Sequence, residues 1–144
     1  MAKKTFTLEE ANQTLEEIRP HVEVIVDINE KIIHTSKDVE NLFDIWGDNV
    51  MEKNNPDHEI YFELIERGSF LSNELKERVI EVEKIGCYLK DFKLGLVNFP
   101  FEHEGKKVFL SWKLGEKSID YWHEMNSGFS GRKRIDELNK PISQ

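Results

Sequence analysis

The 144-residue sequence contains a single cysteine, Cys87, and this scarcity excludes two kinds of architecture. One cysteine cannot form an intramolecular disulfide, and it cannot supply the several thiolates of a cysteine-rich zinc site. Long apolar runs are also missing, because none approaches the roughly 20 residues that span a bilayer. The lysines near the N-terminus are not followed by the apolar segment of a signal peptide. We therefore expect a protein of the reduced cytoplasm that does not enter the membrane.

Positive charge is also in short supply. The sequence has 20 lysines and arginines against 28 aspartates and glutamates, so its net charge is −8 at pH 7. Because a phosphate backbone is held by a positive field, this composition disfavours nucleic acid as a partner. The basic run Arg132, Lys133 and Arg134 is a local exception. Charged residues make up 33% of the chain and hydrophobic residues 38%, which indicates a single domain, 1–144, with long exposed helices.

The first part of the chain predicts a long antiparallel helical hairpin, with helices over 7–50 and 57–85. Thr7 and Glu10 have the spacing of a capping box, and Gly86 follows the second helix as a C-cap. Pro20 removes a backbone donor, so we expect a kink or a short break near Arg19. Apolar residues recur in steps of three and four, which is typical of a helix packed on a partner helix, as in a coiled coil. The apolar positions of the first helix are Leu8, Ala11, Leu15, Ile18, Val22, Ile25, Ile32, Val39, Phe43 and Trp46.

After Gly86 the apolar period changes from that of a helix to that of a strand. Alternating residues predict a small antiparallel sheet over 87–124, with "HEGKK" as a hairpin loop. In its last strand, His123 and Glu124 point to opposite faces. Residues 125–144 are expected to form a turn and a polar tail. The fold class is therefore α+β: a helical hairpin followed by a small antiparallel sheet.

Several motifs occur in an order that resembles a known family. They are "FTLEEAN", "IRP", "GLVNFP", "LSWKLGE", "YWHE" and "GFSGR". In this order they resemble the bacterial and archaeal family catalogued as domain of unknown function 2203. The likeness covers the chain except the loop near 47–57, and it departs at Asn98, where an aspartate is expected. The resemblance implies one folded unit and brings no activity, substrate or cofactor.

One candidate site is a metal centre. His123, Glu116 and Glu124 combine imidazole and carboxylate ligands, which suit a divalent ion such as Zn, Mn or Fe. A metal needs three or four converging ligands, and adjacent residues of a strand diverge. The sequence has no HExxH motif. The alternative, which a lone histidine favours, is a structural His123 bonded to a carboxylate.

A second candidate is a site for a small anionic ligand in "NSGFSGRKR". Gly128 and Gly131 permit backbone N–H groups to converge, and Arg132 can bind phosphate or carboxylate with two parallel bonds. Trp112 and Trp122 would line the site. In the competing interpretation, which carries more weight, the glycines form a tight turn, Phe129 fills the core and Arg132 pairs with an acidic helix residue.

The third hypothesis concerns self-association. The apolar stripes of two long helices exceed what a small sheet covers, and a two-fold homodimer would bury them. Alternatively, each stripe packs only against the other helix. We therefore expect a homo-oligomeric binding or regulatory module. The alternative is a small metal-dependent, hydrolase-like enzyme with a site near His123, whose catalytic residues the sequence does not identify.

Overall fold

The computed structural model of the protein describes residues 5–137. The first helix, α1, spans Leu8–Trp46. Its capping box is formed: the Thr7 hydroxyl accepts from the Glu10 N–H at 3.0 Å, and the Glu10 carboxylate accepts from the Thr7 N–H at 2.9 Å. Pro20 lies inside α1. The short break that we allowed for near Arg19 is therefore absent, whereas the kink stays a prediction.

The second helix, α2, spans His58–Glu83, and a 3-10 turn at Gly47–Met51 follows α1. The contacts between the helices run in reverse order along the two sequences. In the first half of α1, the Nδ1 of His21 lies 3.3 Å from the Nη1 of Arg78. Near the end of α1, the ring of Phe43 meets that of Tyr61 of α2 edge to face, with ring centroids 5.8 Å apart. By their observed bounds, α1 and α2 are each a few residues shorter than the predicted helices 7–50 and 57–85.

Five antiparallel strands follow in the order β1 to β5. Glu104 and Gly105 connect β2 and β3 as a two-residue turn with φ of 52° and 78°, where glycine tolerates the left-handed conformation. The turn is shorter than the predicted loop "HEGKK", because His103, Lys106 and Lys107 pair within the strands. The α+β class predicted from the sequence is therefore confirmed. The strands are β1 Tyr88–Asp91, β2 Leu96–His103, β3 Lys106–Lys113, β4 Tyr121–Glu124 and β5 Lys133–Arg134.

The sheet has an inner face, which packs on α1, and an outer face. Consecutive side chains of a strand point to opposite faces, and residues paired across neighbouring strands share a face. The strand register therefore shows which face each side chain occupies. On the inner face, the rings of Phe6 and Phe99 meet edge to face, with centroids 5.2 Å apart. From α1 the core takes Ala11, Leu15, Ile18, Val22 and Ile25, and from the sheet it takes Val97, Phe99, Leu110 and Trp112.

The C-terminal segment departs from the predicted turn and tail, because it contributes β5. Ile135 is only 7% exposed, and its N–H donates to the Asp120 carbonyl at 2.9 Å. Ile135 is a single apolar residue among polar ones, which is too weak a pattern to predict a strand. Its burial nevertheless holds the segment that contains β5 against the sheet. The rest of the predicted tail, 138–144, lies outside the described residues. Neither α1 nor α2, the two long helices within residues 5–137, contains an apolar stretch that could span a bilayer.

Candidate functional site on the outer face of the sheet

His123 lies on β4 with both ring nitrogens bonded. Its Nδ1 is 2.8 Å from the Glu124 carbonyl oxygen, and because that oxygen only accepts, Nδ1 carries a proton. Its Nε2 is 3.2 Å from the side-chain amide of Asn98 on β2, which can donate to this unprotonated nitrogen when its NH2 group is turned toward the ring. The ring also lies against Phe109, with centroids 5.7 Å apart. His123 is only 2% exposed, so this bonding accounts for a buried polar ring.

Arg132 forms the second half of the site by bonding the turn after β3. Its Nη2 donates to both carboxylate oxygens of Glu116, at 2.7 and 3.0 Å, and to the Ser111 carbonyl at 3.1 Å. Glu116 also accepts from the Lys113 N–H at 2.7 Å. The two side chains are 9% and 19% exposed. This charge-assisted contact ties the chain after β4 to the end of β3.

Two aromatic rings lie close to the same guanidinium. Its central carbon lies 4.1 Å from the centroid of Tyr121 and 4.8 Å from that of Phe129. Arg134 approaches the Tyr121 ring at 5.8 Å, and Lys113 approaches the Phe129 ring at 5.9 Å. Cations and rings therefore alternate along this part of the sheet, and each cation is attracted by the negative face of a ring.

Residues 4–135 match the model of a family described as an uncharacterized conserved protein (DUF2203). The chain belongs to this family. The match runs from the residue before the described segment to Ile135, so it includes both halves of the outer-face site. Comparisons with the curated proteins and with the solved structures found no match. Any function of this DUF2203 member must therefore be argued from its own residues.

The proposed metal ligands of this DUF2203 member do not converge. The carboxylate of Glu116 binds Arg132, and that of Glu124 forms an ion pair with Lys106. His123 directs its ring nitrogens to Asn98 and to a carbonyl oxygen. Among residues 5–137, no three histidine, cysteine, aspartate or glutamate side chains are grouped as metal ligands would be.

The Glu124 carboxylate is bound at the surface, away from the His123 ring. The hydrogen bond from Lys106 and its positive charge lower the pKa of Glu124 below the ordinary 4.5, and Lys133 adds to this effect. Glu124 is therefore the charged form across the neutral range, engaged by a lysine. A group in this state is poorly suited to donate a proton as a general acid.

The residues proposed for the anion site are also separated. Gly131 and Arg132 donate their N–H groups to the carbonyls of Gly128 and Phe129, so these donors do not converge on a ligand. Gly131 is required for space, because an added Cβ would lie 2.8 Å from the Ser127 Cβ. The partner of Arg132 is Glu116 of a loop, in place of the acidic helix residue considered above. Phe129 is 41% exposed, and so does not fill the core.

The two tryptophans expected to line the site belong to the inner face. Trp112 is fully buried in the core, and its Nε1 donates to the Glu116 carbonyl at 2.8 Å. Trp122 packs against the same core and carries Lys133 over its ring at 5.0 Å. Glu116 thus links the faces: its carbonyl binds Trp112 and its carboxylate binds Arg132. The sheet itself separates the indoles from the guanidinium.

Two outer-face residues carry polar atoms that lack partners within the described part of the chain. The Ser111 hydroxyl and Arg132 Nε are buried without a hydrogen bond there. Because no base in that range contacts the hydroxyl, Ser111 has no activated nucleophile geometry. Cys87 is equally inert: burial raises the pKa of its thiol to about 12, so the reactive thiolate does not form near neutral pH.

Sequence reasoning overlooked Asn98 and Ser111 as members of this site. Their signal was present, because each is a polar residue between apolar neighbours in an alternating strand. Such a residue must point away from the core, and both lie directly opposite each other on β2 and β3. Their burial, at 2% and 0% exposure, could not be anticipated, since it depends on side chains brought in by β4 and the segment after it.

Proposed function

We propose that this protein is a binding module that acts as a homodimer, assembled through a groove between its two helices. The observation that carries the proposal is how little of α2 is covered. Only Leu71 and Val82 of its 26 residues are buried. The described residues therefore leave most of this long amphipathic helix open to a partner.

The groove lies where the helices have passed beyond the sheet. In α1 the core side chains end near Ile28, after which only Thr35 and Leu42 are buried. Small side chains then open a cavity of about 340 Å³ between the helices. We term this the interhelical groove, lined by Ile32, Thr35, Ser36, Val39, Leu64, Ile65, Gly68 and Ser72.

The two helices are proposed to act as an antiparallel hairpin that presents this groove as one surface. The pairings of His21 with Arg78 and of Phe43 with Tyr61 support that arrangement. Between them, a Cβ added at Gly68 would lie 3.8 Å from the Thr35 methyl group. Two such hairpins related by a two-fold axis make a four-helix bundle, the usual way to cover two apolar stripes. The coiled-coil spacing of the sequence is interpreted in the same way.

Charge supports a second copy as the occupant of the groove. Segments 31–39 and 63–73 contain three basic residues, Lys31, Lys37 and Arg67, and three acidic ones, so their net charge is zero. The remainder of the helical part is strongly acidic. A second copy can therefore approach at the groove without the like-charge repulsion that it would meet elsewhere.

The test is the molar mass in solution, measured by light scattering across a wide range of protein concentrations. We expect a mass of twice 17.0 kDa. Ile65→Glu places a charge in the groove and should give the monomer. Phe70→Glu changes a residue of the same helix outside the groove lining, and should leave the dimer intact. Ile65 is 44% exposed and Phe70 is 66% exposed, so neither change introduces a charge into the folded core.

A monomeric wild type at every concentration would overturn the proposal, and so would equal masses for the two variants. Circular dichroism shows whether each variant retains its helices. The cytoplasmic location predicted from the sequence belongs to the same proposal, and cell fractionation tests it.

A further inference from the structure

The tip of the helical part is a second surface, distinct from the interhelical groove. We define the tip as residues 40–62, which join the end of α1 to the start of α2. It contains none of the residues that line the groove. Four of its apolar side chains are half exposed or more: Ile45 at 69%, Met51 at 50%, Ile60 at 52% and Phe62 at 52%.

Specific contacts hold the tip in one conformation. The indole N–H of Trp46 donates to the Asp57 carboxylate at 2.9 Å, and His58 Nδ1 lies 3.0 Å from the Val50 carbonyl oxygen. Val50 is fully buried beneath the turn. The side chain of Asn55 accepts from the Asp57 N–H at 2.8 Å. A loop fixed in this way loses little conformational entropy when it binds a partner.

Beside the fixed turn lies an open cavity of about 600 Å³. Phe62 forms part of its wall and stacks against His58, with ring centroids 6.4 Å apart. Pro56 adds further apolar surface, and Lys53 and Glu59 lie at the polar part of the lining. The cavity can accept apolar side chains from a partner, whereas the turn that forms it stays in place.

The charge of the tip identifies the kind of partner. Residues 40–62 contain six acidic residues and one basic residue, Lys53, which gives a net charge of −5. Two tips would repel each other, and an anionic membrane surface would repel a tip as well. A segment that carries both basic and apolar side chains satisfies the acidic residues of the tip and its exposed apolar groups together.

We propose that the tip binds a basic amphipathic helix of a partner protein. Apolar side chains of that helix enter the cavity beside Phe62, and its lysines or arginines face Glu59 and the other carboxylates of the tip. This interaction does not depend on the interhelical groove, and self-association can fail while the tip still binds.

The experiment uses the full chain and a fluorescein-labelled peptide of about 18 leucines and lysines, arranged as an amphipathic helix. Fluorescence anisotropy should show saturable binding that weakens as salt is added. A peptide of the same composition in scrambled order should bind at least about tenfold more weakly, because it cannot present one apolar face.

Two pairs of variants locate the site. Phe62→Ser should weaken binding about tenfold, whereas Phe70→Ser, an exposed phenylalanine of α2 outside the tip, should leave it unchanged. Removing three tip charges (Asp44→Asn, Asp48→Asn, Glu52→Gln) should weaken binding more than removing three outside it. The matched control is Glu17→Gln, Glu77→Gln and Glu81→Gln.

Failure of the wild type to bind the amphipathic peptide overturns the proposal. It is also overturned if the scrambled peptide binds equally, or if the tip and control variants are affected equally, since binding would then reflect the overall negative charge. Circular dichroism and total tryptophan emission, compared between each variant and the wild type, separate loss of the partner from loss of the folded tip.

Discussion

At the scale of single residues, Arg132 and Glu116 show how the outer face is held together. Both belong to the residues singled out in the sequence, but for different chemistry: Arg132 for an anion and Glu116 for a metal. In the fold each satisfies the other, with Arg132 also bonded to a β3 carbonyl. The charge that makes Arg132 suitable for a ligand is used to fix the segment that follows β4.

Neutralising Glu116 tests this interpretation. Glu116→Gln leaves a guanidinium that is 9% exposed without its counter-charge, and should lower the free energy of unfolding by about 2 kcal/mol. Urea titration provides the measurement, with an unchanged m-value showing that the two-state transition is retained.

The matched control for that change is Asp27→Asn. Asp27 pairs with Lys31, but the two side chains are 60% and 51% exposed, so the change should stay within about 0.5 kcal/mol. Equal effects of the two substitutions would contradict a structural role for the Arg132–Glu116 pair.

At the scale of elements, the turn between β1 and β2 joins the sheet to α1. Gly95 has φ of +67°, and an added Cβ would lie 2.8 Å from the Leu114 Cβ and 3.0 Å from a methyl group of Val22. Its carbonyl also accepts from the Leu114 N–H at 3.0 Å. Glycine is required here both for the backbone conformation and for the close approach of the helix.

Gly95→Ala should therefore cost about 2–4 kcal/mol, the sum of left-handed strain and overpacking. Gly105→Ala is the matched control: its φ is +78°, but nothing lies within 4 Å of an added Cβ. It should cost only the strain, about 1–2 kcal/mol. Thermal and urea unfolding of both variants measure the difference, and equal losses would show that helix contact is unimportant at Gly95.

At the scale of the whole molecule, charge and burial are distributed unevenly. Residues 5–86 contain 8 basic and 20 acidic residues, a net charge of −12, whereas residues 87–137 contain 9 and 8, a net charge of +1. The core is concentrated where the first part of α1 meets the sheet. The acidic tip is held mainly by contacts between the helices and their turn.

Hydrogen exchange should report this distribution. At low protein concentration, amides of 36–46 and 58–66 should exchange faster than those of 11–28, because local opening there exposes less apolar surface. Raising the concentration should slow exchange near the interhelical groove if the dimer forms there. Uniform exchange along α1 would contradict the division into a core-bound half and an exposed half. Mass spectrometry of peptic fragments resolves these segments.

Several local features of this protein can be predicted from short stretches of its sequence. The capping box at Thr7, the change of period after Gly86, the position of the hairpin between β2 and β3, and the family all follow from short-range patterns. These features depend on backbone conformation and on residues a few positions apart, so neighbouring sequence is sufficient to specify them. Even the outward orientation of Asn98 follows from the alternation of apolar and polar residues in its strand.

The hydrogen-bond partners of the site residues depend instead on long-range packing. Arg132 binds a residue 16 positions away, and the His123 ring reaches one 25 positions away across β3. A loop of the sheet is held to α1 by the Asn12 side chain, which accepts from the Ile119 N–H 107 positions away. Pairing over such distances depends on strand register and on which faces meet. The chemistry of a residue limits its partners, but only packing selects one of them.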